Sequence, residues 1–473
     1  MRRLLMTTAA VLVILGTNQM TADLLAQTPS QTRPPNIIII TADDLGYADL
    51  SSYGHPTIRT PALDELALEG QRWTSFYAQA PVCSPSRAAL LTGRLHLRSG
   101  MFGRQTGVFF PDSQAGLPHD EVTLAEALGD MGYTTGIIGK WHLGHLPQYL
   151  PTRHGFDYWF GIPYSNDMDW NLPDGLDNRS AYFAPKVDYW HVPLIRNEVV
   201  IERPAQQTTI TQRYTEEAVR FIRNHQDESF FLYVPHSMPH TPLFVSDAYR
   251  GRSAAGIYGD VIEELDWSVQ QIVETVKNAG LEENTLVIFT SDNGPWIRFE
   301  THGGSAGPLR DGKGTTYEGG MRVPGIFWWP GRIAPGVVQD IGSSMDLFST
   351  VITIAGGTVP TDRPIDGFDL SPVLFGREPS SRRTMAYYRM GELFAFRLDE
   401  HKAHFVTEGR YTLGPPRTEH DPPLLFNLNV DPGERYNVAA AQPDVLAEVL
   451  AAVAQHRSTM TIAEPLFDLR GPP

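Results

Sequence analysis

The chain has 473 residues, 41% of them hydrophobic and 19% charged, with a formal net charge of -16. That length exceeds one ordinary domain, so one large and one small domain are expected, with room for an extensive core. The acidic balance excludes a nucleic-acid partner, which needs a surplus of Lys and Arg on some face, and attraction for any anionic ligand must therefore be local.

The first residues have a secretory pattern. Arg2 and Arg3 precede an apolar stretch over 4–15, and Ala22 or Ala26 can precede a cleavage site, so residues 1–26 are expected to be a signal peptide. The stretch is too short to span a bilayer. The only cysteine is Cys83, far from that site, which leaves none for a lipid anchor there and none for an internal disulfide. The mature protein is expected to be soluble and exported, periplasmic or secreted, without a membrane anchor.

Next, residues 36–40 read as a buried parallel strand that runs into Asp43 and Asp44. Thr60 and Pro61 start a helix that Gly70 closes. Residues 123–131 read as a capped helix, and 133–139 as a strand delivering Lys140 and His142. The segment 165–204, rich in Asp, Trp, Tyr and Pro without period, reads as a long ordered loop. A helix over 216–225 leads to a strand over 230–234, with His236 and His240 after it. A helix over 261–278 leads to a strand over 285–290, with Asp292 and Asn293 following.

Four times, then, an apolar strand ends in residues of catalytic type, as alternating strand and helix units give at the carboxyl edge of a parallel sheet. The expected core is α/β, with its site along one edge. After a helix over 344–354 the pattern changes to hairpin strands over 384–406 and 424–429 and a closing helix over 444–456. These predict a catalytic domain over 27–360 and a smaller C-terminal α+β domain over 361–473.

The stretch CSPSRAALLTGR, 83–94, predicts a helix with Ser84 as cap, Pro85 at its first position and Gly93 at its end. Cys83 then lies at the positive end of the helix dipole with Arg87 one turn on, a setting that lowers a thiol's pKa or holds an anion. A lone cysteine is otherwise usually an inert buried hydrophobe.

Cys83, Pro85, Arg87 and Thr92 to Arg94 match the CxPxR and TGR hallmark of the type I sulfatases, which the chain resembles, most of all in their arylsulfatase A branch. Supporting motifs in the family order are GKWHLG at 139–144, GIPYSND at 161–167, SDNG at 291–294, GKGTTYEGG at 312–320 and KAHF at 402–405. The resemblance implies an alkaline-phosphatase-like fold, a large mixed sheet flanked by helices. It also implies that Cys83 becomes formylglycine through a formylglycine-generating enzyme. It gives Asp43, Asp44, Asp292 and Asn293, with modified Cys83, as ligands of calcium; the same oxygen donors also suit magnesium. Arg87, Lys140 and Lys313 are implied to hold the sulfate and the hydrate. His142 is implied as the base at the second hydroxyl, His240 with Lys313 as groups at the leaving oxygen, and Ser165 and His404 as substrate contacts. His236 reads as a supporting histidine.

A sulfate ester resists attack because its oxygens are negative, so a site must neutralise them and present a nucleophile in line. An aldehyde hydrate suits this, because one hydroxyl attacks sulfur and the second, once deprotonated, expels sulfate and restores the aldehyde. The expected activity is hydrolysis of a small aryl sulfate or sulfated carbohydrate. The aromatics Trp170, Tyr182, Phe183, Tyr189 and Trp190 are expected mostly to pack their loop onto the core, with some free to stack on a ring. The rival readings are a phosphate or phosphonate monoester hydrolase on the same sheet and a silent glycan-binding homologue.

Overall fold

The computed structural model describes residues 33–411 and 413–471; the signal reading of residues 1–26 lies outside them. Strand β1, Asn36–Ala42, is buried along its whole length. Because successive side chains on a strand point to opposite faces, its isoleucines divide between two cores, Ile38 and Ile40 in one and Ile37 and Ile39 in the other. Both faces of the sheet are therefore covered, as a continuous apolar strand requires.

The strands that follow are β2 (Gln71–Tyr77), β3 (Thr134–Ile138), β4 (Tyr158–Gly161), β5 (Leu194–Arg196), β6 (Val199–Glu202), β7 (Phe230–Pro235), β8 (Thr285–Ser291), β9 (Arg322–Trp328) and β10 (Gly336–Ser343). With β1 they form one ten-stranded sheet in the order β10-β2-β9-β8-β1-β7-β3-β4-β5-β6. The run β8-β1-β7-β3-β4 is parallel, and antiparallel pairs flank it. The sheet is mixed, as expected.

The helices in chain order are α1 (Pro61–Glu69), α2 (Cys83–Thr92), α3 (Leu124–Gly129), α4 (Asn178–Phe183), α5 (Ile210–Asn224), α6 (Gly256–Asn278), α7 (Glu318–Met321), α8 (Asp346–Ile354), α9 (Ser371–Leu374) and α10 (Pro443–Thr459). Leu63 and Leu66 of α1, Tyr214 and Phe221 of α5 and Val261 and Leu265 of α6 join the core of Ile38. Leu90 of α2, Leu128 of α3 and Phe348 of α8 join that of Ile37.

The expected C-terminal hairpins are β11 (Thr384–Arg389), β12 (Glu392–Leu398), β13 (His401–Thr407) and β14 (Thr418–Asn427), a second antiparallel sheet. Leu446, Val449 and Val453 of α10 cover one face of it. Its other face sets Met385, Tyr387 and Ala395 against Tyr77, Met321 and Ile341 of the large sheet's side.

Two local readings are corrected. The segment 165–204 is not one loop: it contains α4, strand β5, paired to β4, and the edge strand β6, paired to β5. Three- and four-residue strands are too short to show a period. Helix α2 begins at Cys83 itself, with Val82 as its cap residue and no side-chain cap. Ser84 instead accepts the Phe109 amide at 3.4 Å, while Gly93 ends the helix at φ 67° as expected.

Candidate active site

The parallel ladders extend past the strand ends and carry the polar residues into one place. Asp43 N–H donates to Met238 O at 3.1 Å, Lys140 N–H to Pro235 O at 2.7 Å and Asp292 N–H to Ala42 O at 3.2 Å. Asp44 at φ 67° and His142 at φ 62° occupy the left-handed region, uncommon for residues with a Cβ.

Three carboxylates there meet three cations. Arg87 lays its fork on Asp292, Nε at 2.9 Å and Nη2 at 2.8 Å, and its Nη1 donates to Lys140 O at 2.8 Å. Lys140 Nζ lies 2.6 Å from Asp43 and donates to Ser165 Oγ at 3.2 Å. Lys313 Nζ lies 2.8 Å from Asp44. Asn293 donates from Nδ2 to Asp44 at 2.7 Å, while its Oδ1 is buried without a partner. Cys83 Sγ is 3.5 Å from Asp43. All of these side chains are buried, so each charge depends on its partner rather than on water.

The environment sets the protonation states. Burial raises the Asp44 carboxyl above its ordinary value, and burial beside Asp43 does the same for Asp292. Burial works against the charge on Arg87 and Lys313, yet the carboxylates of Asp292 and Asp44 outweigh it and hold both protonated. Burial also pushes the Cys83 thiol well up despite Lys140 and Lys313 nearby. The reading of a depressed thiol pKa is therefore corrected: desolvation outweighs the helix dipole and the lysines, and the unmodified side chain is a neutral thiol.

Burial lowers both histidines, so both are neutral at physiological pH. Their hydrogen bonds fix the tautomers. His142 Nε2 lies 3.0 Å from Phe109 O and must carry the proton, because a carbonyl only accepts; Nδ1 is bare and without a partner. His240 Nδ1 lies 2.6 Å from Thr241 O and is likewise the N–H, leaving Nε2 bare, 3.3 Å from Ser165 Oγ and 3.6 Å from Asp44.

Asp43, Asp44, Cys83 and His240 offer donor atoms that all lie within 4.8 Å of one another. With Asp292 and the orphaned Asn293 amide oxygen alongside, the donors are mainly hard oxygens, which fit a hard divalent cation.

Of the other predicted residues, His236 stands apart, with Nε2 3.3 Å from Ser268 Oγ of α6. His404 lies in a buried network between the two sheets. Its Nε2 is 2.6 Å from Glu434, which also accepts from Lys402 at 2.9 Å and from the Glu318 amide at 2.7 Å. Lys402 further donates to Thr316 O at 2.8 Å, so β13 braces the loop that carries Lys313. Lys402 and its neighbouring cations outweigh burial and hold Glu318 down at about 2. Trp296, not foreseen as a site residue, has its ring 4.4 Å from Lys313 Nζ and 5.1 Å from the His240 ring; its place two residues after SDNG was the available signal.

The sulfatase family matches residues 35–357. This chain belongs to the sulfatase family. Residues 380–470 match the C-terminal region of aryl-sulfatase. The sulfatase is 44% identical to arylsulfatase A of Bos taurus over 89% of this chain and 87% of that protein. It is 41% identical to N-acetylgalactosamine-6-sulfatase of Canis lupus familiaris over 92% and 88%. The PsFucS1 sulfatase from Pseudoalteromonas sp. superposes with a TM-score of 0.80 at 29% identity, covering 92% of this chain and 93% of that one. The protein is a sulfuric ester hydrolase acting on sulfated substrates. Among its described residues no helix is long and apolar enough to cross a membrane.

Proposed function

We propose that this sulfatase works through a formylglycine made from Cys83 and a calcium ion held by Asp43, Asp44, Asp292 and Asn293, with magnesium the alternative ion. The observation that carries this reading is the neutral, buried Cys83 thiol set among carboxylates and cations. A neutral thiol is a poor nucleophile, whereas a hydrated aldehyde at that position supplies one hydroxyl to attack sulfur and a second whose deprotonation releases sulfate. The calcium ion supplies Lewis-acid neutralisation of the sulfate and hydrate oxygens.

The chain's own groups do the rest. Arg87 and Lys140 balance charge beside Cys83, and Lys140 also orients Ser165 toward the sulfate. His142 presents its bare Nδ1 as the acceptor for the proton of the second hydroxyl. Lys313 and His240 flank the leaving oxygen, where the protonated Lys313 can supply the proton from Nζ while His240 faces it with a bare Nε2. His404, through Glu434 and Lys402, supports Lys313 from behind, so its contribution to substrate binding is indirect in this reading.

Because Cys83 is buried in the folded chain, the converting enzyme must meet the CSPSR segment before folding. That agrees with maturation during export to the periplasm or the medium. The division near residue 360 then separates the catalytic domain from one whose β13 steadies it.

The relatives' names point to aryl sulfates and 6-sulfated amino sugars as substrates. The test is hydrolysis of 4-nitrophenyl sulfate by the matured protein before and after chelation, with metal content measured. Loss on chelation and recovery with calcium is expected. Full activity in metal-free protein contradicts the metal assignment, and phosphate or phosphonate ester turnover exceeding that of sulfate esters would favour the rival hydrolase.

A further inference from the structure

Trp296 stands just past the end of β8, and its loop is stitched to the one that carries Lys313. Pro295 O accepts the Lys313 amide at 2.8 Å. The two backbones pass so closely that a Cβ on Gly312 would stand 2.4 Å from Pro295 O. The indole meets Phe299 at 81° with ring centroids 4.7 Å apart and leans on Tyr411 at 5.2 Å. Its Nε1 is buried and has no hydrogen-bond partner among the described residues. Packing therefore sets the ring, and what the ring offers the site is its face.

That face is turned on Lys313. Nζ lies over it, 4.4 Å from the ring centre, and the His240 ring is 5.1 Å away. Asp44 holds the same ammonium at 2.8 Å. Lys313 and His240 are both buried, so little water weakens the attraction between the ammonium and the negative π face. A lysine stem is flexible, and a single carboxylate would let Nζ swing about it; the indole face is a second attraction that narrows where Nζ can go. Indole attracts a cation more strongly than phenyl does. That accounts for a tryptophan where a phenylalanine would spare the cost of a buried, unpaired N–H.

We propose that Trp296 is a positioning residue for departure of the alcohol: its indole face keeps the Lys313 ammonium aimed at the leaving oxygen instead of drawn wholly onto Asp44. The inference rests on the reading above that puts Lys313 at that oxygen. As the nucleophilic hydroxyl oxygen bonds to sulfur, the bond from sulfur to the alcohol oxygen breaks and its electron pair passes to that oxygen. A cation already in place there stabilises the growing charge without reorganising. The more basic the alcohol, the more the step depends on that cation.

The test is kcat/KM of the matured protein on a series of para-substituted phenyl sulfates, from 4-nitrophenyl to 4-methoxyphenyl, alike in size but not in leaving-group basicity. This quantity covers the steps up to alcohol release, so slow sulfate release does not mask it. Trp296→Leu is expected to lose about ten-fold on 4-methoxyphenyl sulfate and less than about two-fold on 4-nitrophenyl sulfate, steepening the dependence on phenol basicity. Trp296→Phe should recover most of the loss. Lys313→Ala should steepen the dependence further, and adding Trp296→Leu to it should steepen it no more. If Trp296→Leu does not fold, Trp296→Phe decides by the same slope, with a smaller steepening expected. An indole that only contacted the substrate or supported the fold would lower the whole series in parallel. A parallel loss, or no loss, in the Trp296 variants while Lys313→Ala steepens the slope overturns the positioning role alone. An unchanged slope in Lys313→Ala removes Lys313 from the leaving oxygen, and the positioning role with it.

Discussion

Arg87 grips Asp292 with two nitrogens of its fork, at 2.9 and 2.8 Å, and with the third reaches the Lys140 carbonyl at 2.8 Å. One side chain from the first turns of α2 thereby ties together the ends of β8 and β3, holding a proposed metal ligand and a proposed sulfate-binding lysine in register.

Lysine cannot reproduce that fork. Arg87→Lys is expected to lower kcat/KM by about 100-fold or more, with reduced bound metal, since loss of a ligand's orienting partner costs affinity as well. Arg87→Ala leaves Asp292 as an uncompensated buried charge and should cost about 3–5 kcal/mol of stability. Kinetics, elemental analysis and denaturant unfolding check this; wild-type metal content and turnover in Arg87→Lys would remove Arg87 from the account.

The tautomer fixed by Phe109 O gives His142 a bare Nδ1 and hence the role of proton acceptor in sulfate release rather than in alcohol release. His142→Ala should therefore keep a fast stoichiometric burst of alcohol and then turn over slowly, by a factor of about 100 to 10,000. Rapid-mixing kinetics with a chromogenic aryl sulfate tests it. A variant that loses the burst along with the steady rate places His142 in the first step instead.

Away from the site, Asp266 of α6 caps α1 from outside, accepting the Ala62 amide at 3.1 Å and the Leu63 amide at 2.8 Å. Burial pushes its carboxyl up to about 7 against the pull of those two amides. The folded protein thus binds a proton that the unfolded chain, with a carboxyl near 3.8, has already released. Stability is expected to fall as pH rises from about 4 to about 7 through this group, and to level off above. Asp266→Asn should flatten that part of the profile, whereas Asp266→Ala should cost about 1–2 kcal/mol at any pH because two helix amides lose their acceptor. Melting curves across pH distinguish these, and an unaltered slope in Asp266→Asn refutes the assignment.

Much of the site was legible because strand ends advertise themselves. Asp43, Lys140, His240 and Asp292 each follow an apolar run, and parallel pairing alone brings such ends to one edge. What failed to show was whatever depends on packing across long sequence distances. The setting of Cys83 read as one that lowers a thiol's pKa or holds an anion because the dipole and Arg87 are local, while the burial that raises the thiol instead is not. For His404, expected as a substrate contact, what did not show is that Glu434, 30 residues on, also ties its Nε2 into the brace between sheets. Strands β5 and β6 escaped notice because they are short and β6 is mostly exposed. Of the loop aromatics, Trp190 and Tyr182 do pack on the core as expected, and Trp170 is the one left open.

The central claim, that Cys83 is the precursor of the reacting group, is tested most directly by mass spectrometry of the peptide containing Cys83 from fully active protein. The account predicts a mass showing that sulfur has been lost and an aldehyde gained, in proportion to specific activity across preparations. An intact thiol in protein of full activity would contradict it.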